Sequence, residues 1–233
     1  LLLASWVVLT TKSFWTDLDQ RFFFTLNSLI SWGKEWAVFF ALANHKITDL
    51  FTCVSLILVA WLMVARDKKN KKILVCKIFS LVLYHIVAIL LFKFLVWELA
   101  FAWWFQRASP GVVFPRDIFN LRELVPYLEL RSFSYDSFPS DHGLFAGFFI
   151  FTFFVVNKNL FFRILFIVFM LVTMCLPRLI YGAHWFTDVF FAILIINFFI
   201  SPSYLYSPIK KIFYRFFSKL LKTFLVKIYQ IKR

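Results

Sequence analysis

Charge is what this chain has least of. Charged residues fill 16% of its 233 positions, where an ordinary soluble domain carries about 25%. Acidic residues are the scarcer sign, 12 against 26 Lys and Arg, and the net charge is +14. With 62% hydrophobic residues, this composition excludes a water-soluble globule and predicts an integral membrane protein. The positive excess is not a nucleic-acid surface, and no nucleic-acid partner is expected. The basic residues sit in short segments between apolar runs, the pattern of cytoplasmic loops facing anionic lipid. Cysteine is scarce too. Cys53, Cys76 and Cys175 each lie in an apolar run without CxxC spacing. That excludes a disulfide framework and a thiolate metal site, and leaves three small buried hydrophobes. There is no HExxH, no internal repeat and no low-complexity linker.

What the chain does have is a series of apolar runs. A helix that crosses a bilayer takes about 20 apolar residues. Leu1 to Leu9 is too short for this and is expected to be the outer half of a first span. Asp17 to Trp32 mixes Phe22, Phe23 and Phe24 with Asp17, Asp19 and Arg21, which predicts an interfacial helix. The polar interruption Asn44 to Asp49 marks the entrance to a second span, running to Ala65, and His45 there is expected to be a hydrated interface residue. The basic stretch from Arg66 to Lys72 is cytoplasmic by the positive-inside rule. The third span runs from Ile73 to about Val96, with His85 as a packed core residue. Trp97 to Phe138 is the longest polar stretch, an ordered cap on the opposite, periplasmic side, where most arginines are expected to pair with acids at the surface. A fourth span covers about Leu144 to Val156, a fifth ends at Arg178, and a sixth runs from near His184 to near Ile200. Six spans leave both termini in the cytoplasm. The predicted fold is therefore all-α, a polytopic six-helix transmembrane bundle with a periplasmic helical cap. Residues 1–200 form the catalytic domain, and 201–233 a basic amphipathic cytoplasmic tail.

The segment Pro177 to Asp188 gathers Arg178, His184 and Asp188 at the boundary between two apolar runs. Charged groups at such a place are costly and mark function. His184 and Asp188 are four apart and share one face if His184 opens a helix. Asp188 is then expected to accept a hydrogen bond from one imidazole nitrogen and leave the other as nucleophile or base. Ser140, Asp141, His142 and Gly143 precede an apolar run with an N-cap signal, so they predict a helix N-terminus that favours anions. Topology brings Arg107, Ser140 to His142 and Arg178 to Asp188 to one membrane face. Arginines and helix N–H groups suit phosphate oxygens. His184 is expected to attack phosphorus, with Asp188 fixing its tautomer and a protonated His142 serving the leaving oxygen. Two His and one Asp also suit a metal's facial triad, but arginines do not belong among metal ligands. Neither a metal nor another cofactor is expected.

At these residues the chain resembles the type 2 phosphatidic acid phosphatase superfamily. Arg178-x5-His184-x3-Asp188 and Pro139-Ser140-x-His142 are similar to two of its signatures. The resemblance implies a six-helix membrane enzyme with a metal-free phosphohistidine mechanism. By it, His184 is the nucleophile, Asp188 its partner, His142 the general acid, and Arg178 and Ser140 phosphate binders. Asp141 and Gly143 of the same helix start are grouped with the phosphate binders. A further signature, Lys-x6-Arg-Pro, is met only at Arg107. Ala100 stands at the Lys position, and Ala108-Ser109-Pro110 follows Arg107. Arg131 is the preferred substitute for the missing cation, ahead of Arg116 and Arg122, with surface pairing to Glu129 or Asp136 as its alternative role.

The stretches Arg107 to Pro110, Asp136 to Gly143 and Pro177 to Asp188 further resemble a bacterial inner-membrane branch of that family. This implies transfer of a phosphoryl group from undecaprenyl diphosphate to the 1-phosphate of lipid A at the periplasmic face, leaving undecaprenyl phosphate. The alternative is a phosphatase that hydrolyses undecaprenyl diphosphate or another lipid phosphate with the same residues. A scaffold or transporter fits less well, because no paired charges run through the middle of the spans. Membrane lipids are the expected surroundings, and no obligatory protein partner is inferred.

Overall fold

The computed structural model describes Ser5 and residues 9–66, 71–103 and 107–231. All regular structure among these residues is helical. Helix α1 (Leu9–Asn27) passes through a 3-10 turn (Ser28–Trp32) into α2 (Lys34–Ala43), α3 (Lys46–Arg66) and α4 (Lys71–Trp103). Two single turns follow, α5 (Pro110–Val113) and α6 (Leu121–Leu124). Then come α7 (Asp141–Val156), α8 (Leu160–Met170) and α9 (Leu176–Tyr181), the last two joined by a π-helical turn over Leu171–Cys175. Helix α10 (Phe186–Ile195) likewise runs through a π turn, Ile196–Ile200, into α11 (Ser201–Tyr206), and α12 (Ile209–Ile231) closes the chain.

Among the described residues three helices are long and apolar enough to cross a membrane: Ile73–Glu98, Leu160–Tyr181 and Phe186–Tyr206. Asp141–Val155 is apolar but shorter than the roughly 20 residues a crossing needs. The outward faces are greasy. Leu90, Leu91 and Phe94 on α4 and Phe161, Leu165 and Val168 on α8 are exposed, a surface suited to lipid tails.

Several expected boundaries move. The helix that carries Asp17 is already formed at Leu9 and gives way to the 3-10 turn at Ser28, short of the expected end at Trp32. Helix α4 continues past Val96 to Trp103. The last apolar helix continues past Ile200 to Tyr206. Its π turn lies just before Pro202, which has no N–H to offer the carbonyl four residues back. Among the described residues, the polar stretch after α4 holds two one-turn helices and is otherwise loop. Cys76 and Cys175 are buried as expected, but Cys53 is exposed on α3. Residues 67–70 of the basic stretch, and all but Ser5 and Leu9 of the run at Leu1 to Leu9, lie outside the described residues.

The core is built around α7 and α10, the two helices that pack together most closely. Leu144 and Phe148 of α7 meet Ala192 of α10, Leu81 and Tyr84 of α4 and Tyr204 of α11. On the other side Ala146 and Ile150 meet Val189, Met170 and Met174. A separate cluster joins the short outer elements: Ile30, Phe40, Leu121, Val125, Ile180 and Tyr181. Asn27 pins this layer, donating to the Ile180 carbonyl at 2.9 Å and accepting from Phe119 N at 2.8 Å. His85 is buried as expected, its ring between the Leu81 carbonyl and Ser201 Oγ, each at 2.8 Å.

Candidate active site

Three local features set the site. The first is the start of α7. Ser140 Oγ accepts from Gly143 N at 3.2 Å, the N-cap its sequence predicts. Gly143 is needed for approach, since a Cβ there would lie 2.9 Å from both Ala192 Cβ and the Val189 carbonyl on α10. The second is the end of α9. Pro177 follows the π turn over Leu171–Cys175 for the same reason as Pro202, and its carbonyl accepts from Asn44 Nδ2 at 2.9 Å. The third is the turn after it. Gly182 takes a left-handed φ of +84°, Ala183 N donates to the Arg178 carbonyl at 3.0 Å, and Gly182 N to that of Leu179 at 3.2 Å. This paired closure of a helix end folds the chain back, so that Arg178 and His184 face one cavity despite the five residues between them.

That cavity has a volume of about 210 Å³ and is lined by His142, His184, Arg178, Arg131, Lys93 and Asp141, with a polar edge of Ser132, Ser134 and Asp136. The two imidazole rings stand 6.3 Å apart, centroid to centroid. His184 Nδ1 lies 2.8 Å from the Ser137 carbonyl. A carbonyl only accepts, so Nδ1 carries the proton, and in the neutral ring the lone pair sits on Nε2. Burial pushes the His184 pKa below the usual imidazole range, and the nearby Asp188 charge offsets part of that fall. The result is a neutral ring with a defined nucleophilic nitrogen.

Arg178 is 4% exposed and fully engaged. Its Nε donates to His142 Nε2 at 2.9 Å, its Nη1 to Asn44 Oδ1 at 2.6 Å, and its Nη2 to Asp49. Asp49 also lies 3.4 Å from His142 Nε2 and 3.5 Å from Arg131 Nη2. Three basic side chains thus converge on one carboxylate beside the cavity, an arrangement that equally suits a phosphate oxygen.

The structure separates the predicted residues into two groups. His142, His184, Arg178, Arg131 and Asp141 line the cavity. Arg107, Ser140, Gly143 and Asp188 do not. Arg107 lies behind the histidine: Nη1 donates to Asp188 Oδ1 at 2.8 Å and to Thr187 Oγ1 at 2.6 Å, and Nη2 pairs with Asp19. Its guanidinium also stands over the Trp185 ring at 5.2 Å. Phosphate binding by Arg107 is therefore not what the geometry provides, because two buried carboxylates already hold it. Ser140 Oγ and Gly143 N satisfy each other within the helix cap. Asp188 does not hold the His184 ring: Oδ2 accepts from Trp185 N at 2.8 Å and Oδ1 faces Arg107. The expected contact needed His184 on a helix, but the helix opens only at Phe186. Asp141 meets Lys93 at 2.5 Å. Arg131 pairs with Asp49, not with Glu129 or Asp136, while Arg116 and Arg122 are exposed and away from the cavity. His45 makes only a local turn, accepting from Ile47 N at 3.2 Å.

Sequence reasoning missed Asp19, Asn44, Asp49 and Lys93. Asp19 is fully buried and accepts from Thr187 N at 2.9 Å and Thr187 Oγ1 at 2.6 Å. Burial raises its pKa, against the pull of Arg107 and Thr187. The available signal was a short polar residue interrupting an apolar face, in Asp19 as in Asn44 and Asp49.

Residues 81–211 match the PAP2 superfamily, a stretch that holds Lys93, Arg107, His142, Arg178, His184 and Asp188 but not Asp19, Asn44 or Asp49. Over 226 residues, 94% of this chain and 89% of the relative, the sequence is 28% identical to lipid A 1-diphosphate synthase of Escherichia coli (strain K12). No solved structure matches it.

Proposed function

Because the chain belongs to the PAP2 superfamily, we propose that it is a membrane phosphotransferase that moves a phosphoryl group from undecaprenyl diphosphate to the 1-phosphate of lipid A through phospho-His184. The observation that carries this reading is the pairing of His184 Nδ1 with the Ser137 carbonyl, which aims the Nε2 lone pair for attack in a cavity shared with Arg178 and His142. The nearly full-length likeness to the Escherichia coli lipid A 1-diphosphate synthase supports the choice of acceptor.

In the first half-reaction Nε2 bonds to the terminal phosphorus as the bridging P–O bond breaks, and undecaprenyl phosphate departs with the electron pair. Arg178 exchanges its bond to Asp49 for one to the phosphoryl oxygens, whose charge spreads in the transition state. His142, within reach of Arg178 and Asp49, handles a proton wherever the leaving or attacking oxygen carries one. In the second half-reaction an oxygen of the lipid A 1-phosphate takes the phosphoryl group and frees His184. Asp188, Arg107 and Asp19 brace the His184 turn from behind. Neither a metal nor a cofactor enters these steps.

The same reading places the chain in the bacterial inner membrane with six spans, the cavity periplasmic and both termini cytoplasmic. Residues 1–200 would carry the chemistry. The basic helix beyond them, whose Phe213 and Phe217 pack on Tyr84 and Phe79, would lie along the cytoplasmic surface. The polar edge of the cavity also favours entry of water, so hydrolysis by the same residues is the second reading. Purified protein given undecaprenyl diphosphate labelled in its terminal phosphate separates the two. Transfer predicts label in lipid A when it is added, whereas hydrolysis predicts free phosphate with or without it. Label in neither product would refute both.

A further inference from the structure

The cavity holds more positive charge than one transferred phosphoryl group uses. Arg178, His142 and His184 already serve the reacting phosphorus in the mechanism above. Lys93 and Arg131 line the same cavity, and neither is a packing residue: their side chains are 41% and 54% exposed. Lys93 lies well inside the apolar stretch Ile73–Glu98 of α4, where an ionisable side chain is costly and marks a functional place. Its partner Asp141 is itself half exposed, and such pairs contribute little, so phosphate oxygens can replace the carboxylate at small cost. Lys93 also stands two helical turns before position 100 on the same helix. Arg131 touches Asp49 only at 3.5 Å.

We propose that Lys93, with Arg131, forms a second anion subsite that holds the phosphate which is not transferred, and that this subsite makes the protein prefer a lipid diphosphate to a lipid monophosphate. The proposal rests on the phosphoryl-transfer reading. Its logic lies in the leaving group. When His184 Nε2 bonds to the terminal phosphorus of a diphosphate, the bridging P–O bond breaks and the electron pair stays on a phosphate monoester. The second ionisation of such a monoester lies near about 6, so it departs without a proton, and what it needs is a cation. When the substrate is a monophosphate, the electron pair goes to an alkoxide, whose conjugate acid is as weak an acid as water, and a proton from His142 is required. Lys93 and His142 therefore matter to opposite degrees for the two substrates.

Loss of phosphate from farnesyl diphosphate and from farnesyl monophosphate, to added lipid A or to water, by the purified full chain in detergent, tests this. Lys93→Ala is expected to lose at least tenfold more kcat/KM on the diphosphate than on the monophosphate, with Lys93→Arg recovering most of the loss. His142→Ala is expected to show the opposite ranking. Equal losses on both substrates in Lys93→Ala, or no recovery with Lys93→Arg, would overturn the subsite while leaving the phosphoryl-transfer reading intact. A wild-type protein that takes phosphate from neither probe, with lipid A present, would overturn both.

Discussion

Arg107 and Arg178 flank the same histidine, yet they live in different surroundings. Behind His184, Arg107 is shared between two fully buried carboxylates, Asp19 and Asp188, and lies over Trp185. In front of it, Arg178 touches His142 and a carboxylate that is partly open, Asp49, whose side chain is 24% exposed, and it lines the cavity. The rear carboxylates are fully buried, so losing Arg107, itself 22% exposed, leaves buried charge without a partner. The front network is open, and its carboxylate can give way to a substrate oxygen. Two arginines that look equivalent in sequence thus divide into one held between buried carboxylates and one that lines the cavity.

The comparison breaks most directly at the arginines themselves. Arg107→Ala should destabilise the folded protein by about 3–5 kcal/mol, the cost of stranding buried charge, seen as a large fall in thermal midpoint in detergent. Arg178→Ala should instead leave most of the fold and lower kcat/KM by about 10²–10³. If Arg107→Ala keeps its thermal midpoint and only raises KM, the rear network is a substrate site after all. A middle-sized effect is expected at Asp188. Since burial holds the His184 pKa below its usual range, the ring stays neutral and reactive as pH falls through about 6.5, the ordinary value. The acid limb of kcat/KM should therefore lie below that pH. Asp188→Asn removes a charge that raises the His184 pKa, so it should move the limb to still lower pH; a shift upward would reverse the assigned electrostatics. The smallest effect belongs to Asp49→Asn. Removing the carboxylate that competes for Arg178 should make inorganic phosphate inhibit severalfold better, whereas weaker inhibition would mean that Asp49 only orients Arg178.

Local signals in the sequence were the reliable ones. The Ser140 cap precedes an apolar run, and the histidines and Arg178 stand out at the ends of such runs, so these groups that line the cavity were legible. What failed depended on distance along the chain or on one residue of helical phase. Asp19 and Thr187 are 168 positions apart, and no spacing rule links them. Asp49 and Asn44 look like a solvated interruption until α9 delivers Arg178 against them. The four-residue spacing of His184 and Asp188 suggests a shared helix face, but His184 precedes the first helical residue, Phe186, so the Ser137 carbonyl takes the place expected of Asp188. Gly143 was assigned to phosphate because it sits at a helix start, when the tight approach of α7 to α10 is what requires it. The apolar runs predicted an all-helical membrane protein correctly, and three spans follow from the described residues. The end expected near Ile200 did not follow, because the helix continues through Pro202 by widening to a π turn.

The central claim is that His184 Nε2 accepts the phosphoryl group. Rapid acid-free quenching of the protein during turnover of undecaprenyl diphosphate labelled in its terminal phosphate, followed by peptide mapping, tests it directly. The account predicts an acid-labile, base-stable label on the peptide containing His184 in the wild type and none in His184→Ala. Label on another residue, or turnover by His184→Ala at a rate near that of the wild type, would contradict it.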